Sequence, residues 1–344
     1  MIPSQEATLE TEIKAEEVSV FSRFWQVLLI AVALLGVDFV FLMGMTLLLT
    51  TLVHVMDGHI RWFQTSMGLP LAILSLAILY DFGKFLYFLI IHKKNQARQF
   101  LAQIPVILRD WTPFLLVDFI YENLHDLSGR FNHHDIAALL YRGDLALFGV
   151  EPTLWMQKFT TTFLTDVMAI LYAPYLAYPL ILMLLLSLSS RRNQFQQISI
   201  AVCFTFLLGF VCYVLFPAQP PRFYLEHVFT NPPHLNGSFI YYHLQGVWDN
   251  LSAVRGAAFP SLHAAISSVA LIYAFRFRNL SWVYRFLFYA YIPLVVGLWI
   301  STVYLRHHWV IDLFAGGTVA ILASLLSDRV IRFSQKLRLR LGIS

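Results

Sequence analysis

The chain has 344 residues, of which 58% are hydrophobic and only 13% are charged. Soluble domains carry about 25% charged residues, so this composition excludes an ordinary water-soluble protein. The net charge is +4, but Lys and Arg are scattered between apolar runs instead of forming a stripe, which argues against nucleic-acid binding. The two cysteines, Cys203 and Cys212, lie in one apolar run and fit neither a disulfide framework nor a zinc site.

Residues 1–22 have no apolar centre, so they predict a cytoplasmic tail without a cleavable signal peptide. A helix needs about 20 apolar residues to cross a hydrocarbon core about 30 Å thick. Such runs predict membrane spans near Trp25–Val53, Leu69–Ile91, Asp166–Ser187, Ile198–Phe216, Pro260–Phe275, Val283–Thr302 and Trp309–Leu326. A weaker run, Ile104–Tyr121, contains Arg109, Asp110 and Asp118; it fits a span, an interfacial helix or a helix packed inside the bundle.

Basic residues in the short loops predict the orientation, because cytoplasmic loops carry an excess of Lys and Arg. Basic clusters occur at 93–98, 191–192, 276–285 and 329–340. All four fall on one side only if the weak run also spans the membrane. We therefore predict an all-α, polytopic transmembrane bundle of about eight spans, with both termini cytoplasmic.

Two long segments remain on the non-cytoplasmic side, 122–165 and 217–258, and both are rich in His, Asn, Asp, Gly and Pro. Long segments outside the helices commonly carry function or cover a site.

Three polar clusters lie at this same membrane edge: 216–224, 256–263 and 304–312. The sixth span runs inward from this edge and the seventh returns to it. The topology therefore gathers two imidazoles, a carboxylate and a guanidinium at one boundary, those of His263, His308, Asp312 and Arg222.

His308 and Asp312 are four residues apart, which places them on one helical face about one turn apart. A carboxylate there can accept a hydrogen bond from one imidazole nitrogen, which fixes the tautomer and leaves the other nitrogen free to attack. We predict that His308 is a nucleophile and that Asp312 orients it.

His263 follows Pro260 and Ser261 at a predicted helix start, where proline is favoured and free backbone N–H groups can hold phosphate oxygens. A histidine there can protonate a leaving alkoxide, a role worth roughly 10²–10⁴ in rate. Ser261 is predicted to cap the helix, to contact phosphate, or both. Arg222 is either a bidentate clamp on the phosphoryl group or an interfacial cation.

The sequences FPSLH at 259–263 and YLRHHWVIDLFAG at 304–316 resemble the second and third signature motifs of the type 2 phosphatidic acid phosphatase superfamily. The third motif reads roughly S-R-x5-H-x3-D. Its spacing is kept here by Ser301, His308 and Asp312. Thr302 stands in the place of the arginine.

The first motif, roughly K-x6-R-P, is not intact, since Arg222 follows two prolines without the matching lysine. These departures are similar to the inositol phosphorylceramide synthase branch, as is the segment 143–149 with Pro152 and Trp155. The resemblance implies a catalytic membrane domain over 104–327, two additional N-terminal spans in 23–103 and a basic cytoplasmic tail over 328–344.

By this resemblance, His308 would attack the phosphorus of a phospholipid and form a phosphohistidine, while Asp312 would stabilise the imidazolium. His263 would protonate the leaving group and then deprotonate the acceptor. No metal or other cofactor is implied, and the partners are a phospholipid donor, an acceptor and the lipid bilayer.

The acceptor is open. Water would make the protein a phosphatase of a lipid phosphate such as phosphatidate or polyprenyl phosphate. An alcohol such as inositol, a sphingoid or a glycerolipid alcohol would make it a transferase. Loss of the motif lysine and arginine removes charge suited to a dianionic monoester, which favours a phosphodiester donor and a transferase. Arg306 is a candidate substitute for the missing arginine.

For the other polar residues, the sequence fits both a contact with substrate and a structural role. Arg306 fits substrate contact or a surface charge, and Tyr304 fits substrate contact or an aromatic belt. Asp144 is a candidate contact for the acceptor head group. His307 and the run 132–135 are more typical of local packing and loop structure.

Two rival classes fit the sequence less well. A metal enzyme could use adjacent histidines and a carboxylate, but the His boxes of membrane hydroxylases and the H-E-x-x-H of zinc proteases are missing. A transporter would place ionisable residues along a path through the bilayer, whereas the candidates here cluster at one edge.

Overall fold

The computed structural model describes residues 23–55, 59–60, 68–124, 132–230, 234–251 and 256–342. The predicted N-terminal tail, residues 1–22, lies outside these ranges. Within them the structure is helical, and the β-type pairing is confined to one isolated bridge between Ala218 and Ala257. The predicted all-α class is confirmed.

The described residues form the helices below, with a 3₁₀ turn at Gln157–Phe159 after α7. In chain order they are α1 Arg23–Leu35, α2 Val37–Val55, α3 Gly68–Ile90, α4 Lys94–Leu101, α5 Ile104–Leu124, α6 Ala137–Phe148, α7 Pro152–Met156, α8 Thr162–Tyr172, α9 Ala177–Leu188, α10 Arg192–Leu215, α11 Pro221–Tyr224, α12 Phe239–Leu251, α13 Leu262–Phe277, α14 Trp282–Tyr304 and α15 Val310–Leu341.

Among the described residues, seven helical segments are long and apolar enough to cross a membrane: α2, α3, α4–α5, α8–α9, α10, α14 and α15. The weak run of the sequence lies in α5, and thus in one of these segments. The remaining predicted span, α13, has 16 residues. At 1.5 Å per residue it is roughly 24 Å long, which is shorter than a hydrocarbon core about 30 Å thick. The protein is an integral, multi-pass membrane protein.

Two of the predicted spans are interrupted. Gly36 divides the first run into α1 and α2 and has a φ of 95°, a left-handed conformation that favours glycine. A Cβ at this position would lie 1.7 Å from Nη2 of Arg109. The turn 173–176, which contains Pro174, separates α8 from α9, because proline cannot continue the hydrogen-bonding pattern of a helix. The sequence indicated one continuous run in each case.

Ion pairs that involve the buried carboxylates of Asp38 and Asp110 fasten α5 to α2 and α10. Arg109 Nη2 lies 2.9 Å from Asp38 Oδ1, and its Nη1 lies 2.6 Å from Asp110 Oδ1. Arg192 contacts both carboxylate oxygens of Asp110, at 2.9 and 3.1 Å. Arg109 Nε also donates to the carbonyl of Leu35, the last residue of α1. Two of the charges that weaken the span in the sequence are therefore paired.

Helices α10, α14 and α15 pack around α13. Two glycines allow this close approach at the beginning of α13. A Cβ on Gly316 of α15 would lie 2.4 Å from the carbonyl oxygen of Ser261, and one on Gly209 of α10 would lie 2.6 Å from Leu262 Cδ2. The beginnings of α13 and α15 are thus held against each other.

We expect Arg109→Met to destabilise the bundle by about 3–5 kcal/mol, because it leaves the buried Asp38 without its cationic partner. The measurement is the apparent melting temperature of the purified protein in detergent. Arg285→Met, which changes an exposed arginine, is the control. Equal melting temperatures for the two variants would contradict a structural role for the ion pairs.

Candidate active site

The candidate site lies where α10 and α14 end and α13 and α15 begin. The chain after α10 pairs with the chain before α13: Ala218 N donates to Gly256 O at 2.8 Å, and Ala258 N donates to Ala218 O at 3.1 Å. Gly256 has a φ of 111°, which suits glycine. This pairing presents the carbonyl of Ala258 to the connection between α14 and α15.

The structure brings the two predicted catalytic histidines into contact. His263 lies in the first turn of α13, and His308 lies just before α15. Nδ1 of His263 is 3.2 Å from Nε2 of His308. His308 is buried, whereas His263 is half-buried. The two imidazoles therefore contact each other directly through one ring nitrogen each.

The other nitrogen of His308 faces the protein. Its Nδ1 lies 3.0 Å from the carbonyl oxygen of Ala258 and 3.5 Å from Oδ2 of Asp312. A carbonyl can only accept, so Nδ1 carries the proton and Nε2 keeps its lone pair. The tautomer is thus fixed chiefly by a backbone carbonyl, a contact that the sequence analysis did not foresee.

Asp312 is fully buried in the first turn of α15. Its Oδ2 accepts from the backbone N–H of Trp309 at 3.1 Å, while its Oδ1 has no hydrogen-bond partner among the described residues. Asp312 therefore caps its own helix and places a carboxylate beside the imidazole of His308.

Asp144, which belongs to α6, caps the N-terminus of α15. Its Oδ2 accepts from Val310 N at 2.8 Å and its Oδ1 accepts from Ile311 N at 2.9 Å. Burial raises the pKa of this carboxyl, and the two backbone hydrogen bonds oppose that shift. A Cβ on the neighbouring Gly143 would lie 2.8 Å from Ile311 Cδ1. Both carboxylate oxygens are thus engaged by α15.

Ser261 joins the two helix beginnings. Its hydroxyl accepts from Ala264 N at 3.3 Å, and its own N–H donates to the carbonyl of Asp312 at 3.2 Å. The side chain is fully buried. Of the two compatible roles predicted for Ser261, the structure contains the helix cap.

The two arginines lie in adjoining turns, since Arg222 N donates to the carbonyl of Arg306 at 2.9 Å. The guanidinium of Arg306 lies 3.7 Å from the ring centroid of Phe229. Burial lowers its pKa to about 10, so it remains a cation at neutral pH. Arg222 is partly exposed.

Tyr304 is buried, and its hydroxyl lies 3.0 Å from Thr165 Oγ1, a contact that joins α14 to α8. Within the run 132–135, Asn132 donates to the carbonyl of Leu215 at 2.7 Å. Asp135 accepts from Ala137 N at 2.7 Å. The two histidines of that run are exposed. The Tyr304 contact therefore joins two helices, and the Asn132 and Asp135 contacts hold the run 132–135 between the end of α10 and the beginning of α6.

Aromatic rings that the sequence analysis did not select surround the histidines. The ring of Tyr172 stacks between His263 and His307, at centroid distances of 4.5 and 4.7 Å. Tyr175 lies 4.1 Å from His263, and Trp248 of α12 lies 5.7 Å from His307. The available sequence signal was Pro174, which ends α8 beside the site.

His307 has a nonpolar and electropositive environment. Burial lowers its pKa well below the usual value, and the nearby Arg222, His263 and His308 lower it further. His307 is therefore neutral at physiological pH and packs as an aromatic ring.

Within the described ranges, no three or more His, Cys, Asp or Glu side chains are grouped in a way that could hold a metal ion. The absence of a cofactor remains a prediction.

We expect Asp144→Asn to destabilise the protein by about 1–2 kcal/mol, because the amide turns an N–H₂ toward a backbone donor and removes negative charge from a helix N-terminus. Apparent melting temperatures in detergent measure this effect. Glu226→Gln, which changes an exposed carboxylate at the same end of the bundle, is the matched control. An unchanged melting temperature for Asp144→Asn would argue against the capping role.

Comparisons with known proteins agree with the site. A sequence profile of the PAP2 superfamily matches residues 140–326. A phosphoinositol dihydroceramide synthase of Bacteroides thetaiotaomicron is 30% identical over 173 residues, which cover 47% of this chain and 55% of that protein. An inositol phosphorylceramide synthase of Candida albicans is 27% identical over 176 residues, which cover 47% of this chain and 36% of that protein. The matched region thus spans about half and about a third of these relatives.

No solved structure matches the chain significantly. The profile match covers more than half of the chain, including both histidines, Asp312 and Asp144. The chain belongs to the PAP2 superfamily.

Proposed function

We propose that this protein is a membrane-embedded lipid phosphotransferase that moves a phospho-head group from a phospholipid donor to an alcohol acceptor through a phosphohistidine at His308. The observation that carries the proposal is the 3.2 Å separation between His308 Nε2 and His263 Nδ1. The names of the two relatives, both sphingolipid head-group synthases, support a lipid alcohol or inositol as the acceptor.

In the first step, His308 Nε2 attacks the phosphorus, and an N–P bond forms as the P–O bond to the leaving alcohol breaks. His263 donates a proton to the leaving oxygen. The Asp312 carboxylate, 3.5 Å from Nδ1, stabilises the positive charge that develops on the imidazole of His308.

In the second step, His263 takes the proton of the acceptor hydroxyl as its oxygen attacks the phosphorus. A new P–O bond forms and the N–P bond breaks, which returns both histidines to their starting state. A lipid or polyol alcohol gives a new phosphodiester. With a lipid phosphomonoester as the donor and water as the acceptor, the same two steps release inorganic phosphate, which is the alternative phosphatase reaction.

The charge at the site favours a phosphodiester donor. Thr302 stands where the family motif has arginine, and its hydroxyl is bonded to the carbonyl of Trp299 at 2.7 Å. Arg222 and Arg306 are the two candidate cations of the described residues for the phosphoryl group, and the guanidinium of Arg306 lies over Phe229. A monoanionic phosphodiester requires less compensating charge than a dianionic monoester.

We also propose that the site faces the non-cytoplasmic side, that both termini are cytoplasmic, and that the catalytic domain begins at about residue 104. The basic loops support this orientation. In addition, α5 packs against α10 as well as against α2 and α3, so it adjoins both predicted parts.

The deciding experiment incubates purified protein with phospholipids ³²P-labelled in the head-group phosphate, with and without inositol or a sphingoid alcohol. We expect a labelled phosphodiester lipid that depends on the acceptor, and a labelled, acid-labile protein intermediate before the acceptor is added. His308→Ala should abolish the labelled protein, whereas His133→Ala, which changes an exposed histidine at the same end, should keep it. Release of free phosphate would identify a phosphatase. Protein labelling that survives in His308→Ala would reject the nucleophile.

Asp312→Asn tests the electrostatic role separately. Because the carbonyl of Ala258 also holds Nδ1, the substitution removes charge while the tautomer is retained. We expect kcat to fall about 100-fold, short of the roughly 10⁴-fold loss seen when a carboxylate alone sets the tautomer. Single-turnover rates of phosphoenzyme formation measure this. Wild-type rates would contradict the role of the carboxylate.

A further inference from the structure

The segment between α5 and α8 contains two helices that cannot span a bilayer. Helix α6 has 12 residues and α7 has 5; α6 packs against α15, and α7 packs against α14. These helices and the 3₁₀ turn after them, residues 137–159, are called the interfacial segment below.

One surface of the interfacial segment is apolar and open. Five of its large apolar side chains, and the first aromatic residue of α8, are between 46% and 78% exposed: Leu139, Leu147, Phe148, Trp155, Phe159 and Phe163. In water such a surface would be unfavourable, since a large exposed apolar patch marks an interaction site.

The charges of the segment are sorted by sign. Its two acidic residues, Asp144 and Glu151, are buried. Its two basic residues, Arg142 and Lys158, are exposed. Apolar side chains with flanking cations and no exposed acid are typical of helices that lie in a membrane interface, where cations reach the lipid phosphates.

The apolar surface also continues the lipid-facing surface of the spans. Ile311 packs against Gly143, and the next turn of α15 carries the exposed Phe314. Phe163 extends the surface onto α8. If water separated the segment from the bilayer, this continuous apolar surface would be exposed to that water, which is unfavourable.

We propose that the interfacial segment is inserted into the leaflet at the site end of the bundle, with its apolar side chains among the acyl chains and Arg142 and Lys158 at the phosphates. The opposite face of α6 caps α15 through Asp144. The same helix therefore contacts lipid on one side and fixes the beginning of the His308-bearing turn on the other, which sets the depth of the site at the level of the phosphates.

Site-directed spin labelling tests this on the full chain in phospholipid nanodiscs. Nitroxides are attached to Leu147→Cys and Phe159→Cys, with His133→Cys as the exposed polar control and the unsubstituted chain, which contains Cys203 and Cys212, as the labelling blank. Collision rates are measured with oxygen, which partitions into acyl chains, and with a water-soluble nickel chelate.

We expect the labels at 147 and 159 to collide several-fold more with oxygen than with nickel, relative to the label at 133. Nickel accessibility equal to that at 133 would overturn the proposal. So would low accessibility to both reagents together with dipolar coupling between labels, since a second copy of the chain would then cover the surface. The readout does not depend on catalysis, so it stands apart from the proposed function.

Discussion

The main-chain hydrogen bond from Ser261 N to the carbonyl of Asp312, at 3.2 Å, joins the beginnings of α13, which contains His263, and α15, which His308 precedes. Gly316 permits this contact, because any side chain there would meet the carbonyl of Ser261. The relative position of the two imidazoles is therefore set by backbone packing. Reacting groups held in this way lose little freedom when the substrate binds, which is the largest advantage that positioning gives a two-step transfer.

The N-terminus of α15 is an electrostatic centre in its own right. Its free N–H groups would attract an anion, yet Asp144 and Asp312 already accept from Trp309, Val310 and Ile311. Three of the N–H groups at this helix end are therefore already bonded to carboxylates. Oδ2 of Asp312 also lies 3.5 Å from Nδ1 of His308, which suits a nucleophile that becomes cationic in the proposed reaction.

The sequence was sufficient to predict a membrane bundle, because the thickness of the hydrocarbon core fixes the length of an apolar run that can span it. The excess of Lys and Arg in cytoplasmic loops is the basis of the predicted orientation. The sequence also predicted that His263 and His308 lie at one edge of the bundle, since successive spans run in opposite directions and the order of the spans decides which ends lie on the same side. The roles of Ala258 and Asp144 were out of reach, because a carbonyl has no sequence signature and capping by a distant carboxylate depends on tertiary packing. The helix interruptions at Gly36 and Pro174 do have a local sequence signal, the glycine and the proline themselves. Each lies within a long apolar run, which by itself predicts one continuous span.

The aromatic surroundings bear on the choice between transfer and hydrolysis. A phosphohistidine that must wait for an alcohol has to be kept from water. His308 is buried, and Tyr172, Tyr175 and Trp248 pack around the neighbouring His263 and His307. Trp248 belongs to α12 in the long segment before α13, so that segment covers His307 with one aromatic ring. A phosphatase gains nothing from such a cover, whereas a transferase depends on one, and this asymmetry favours the transferase.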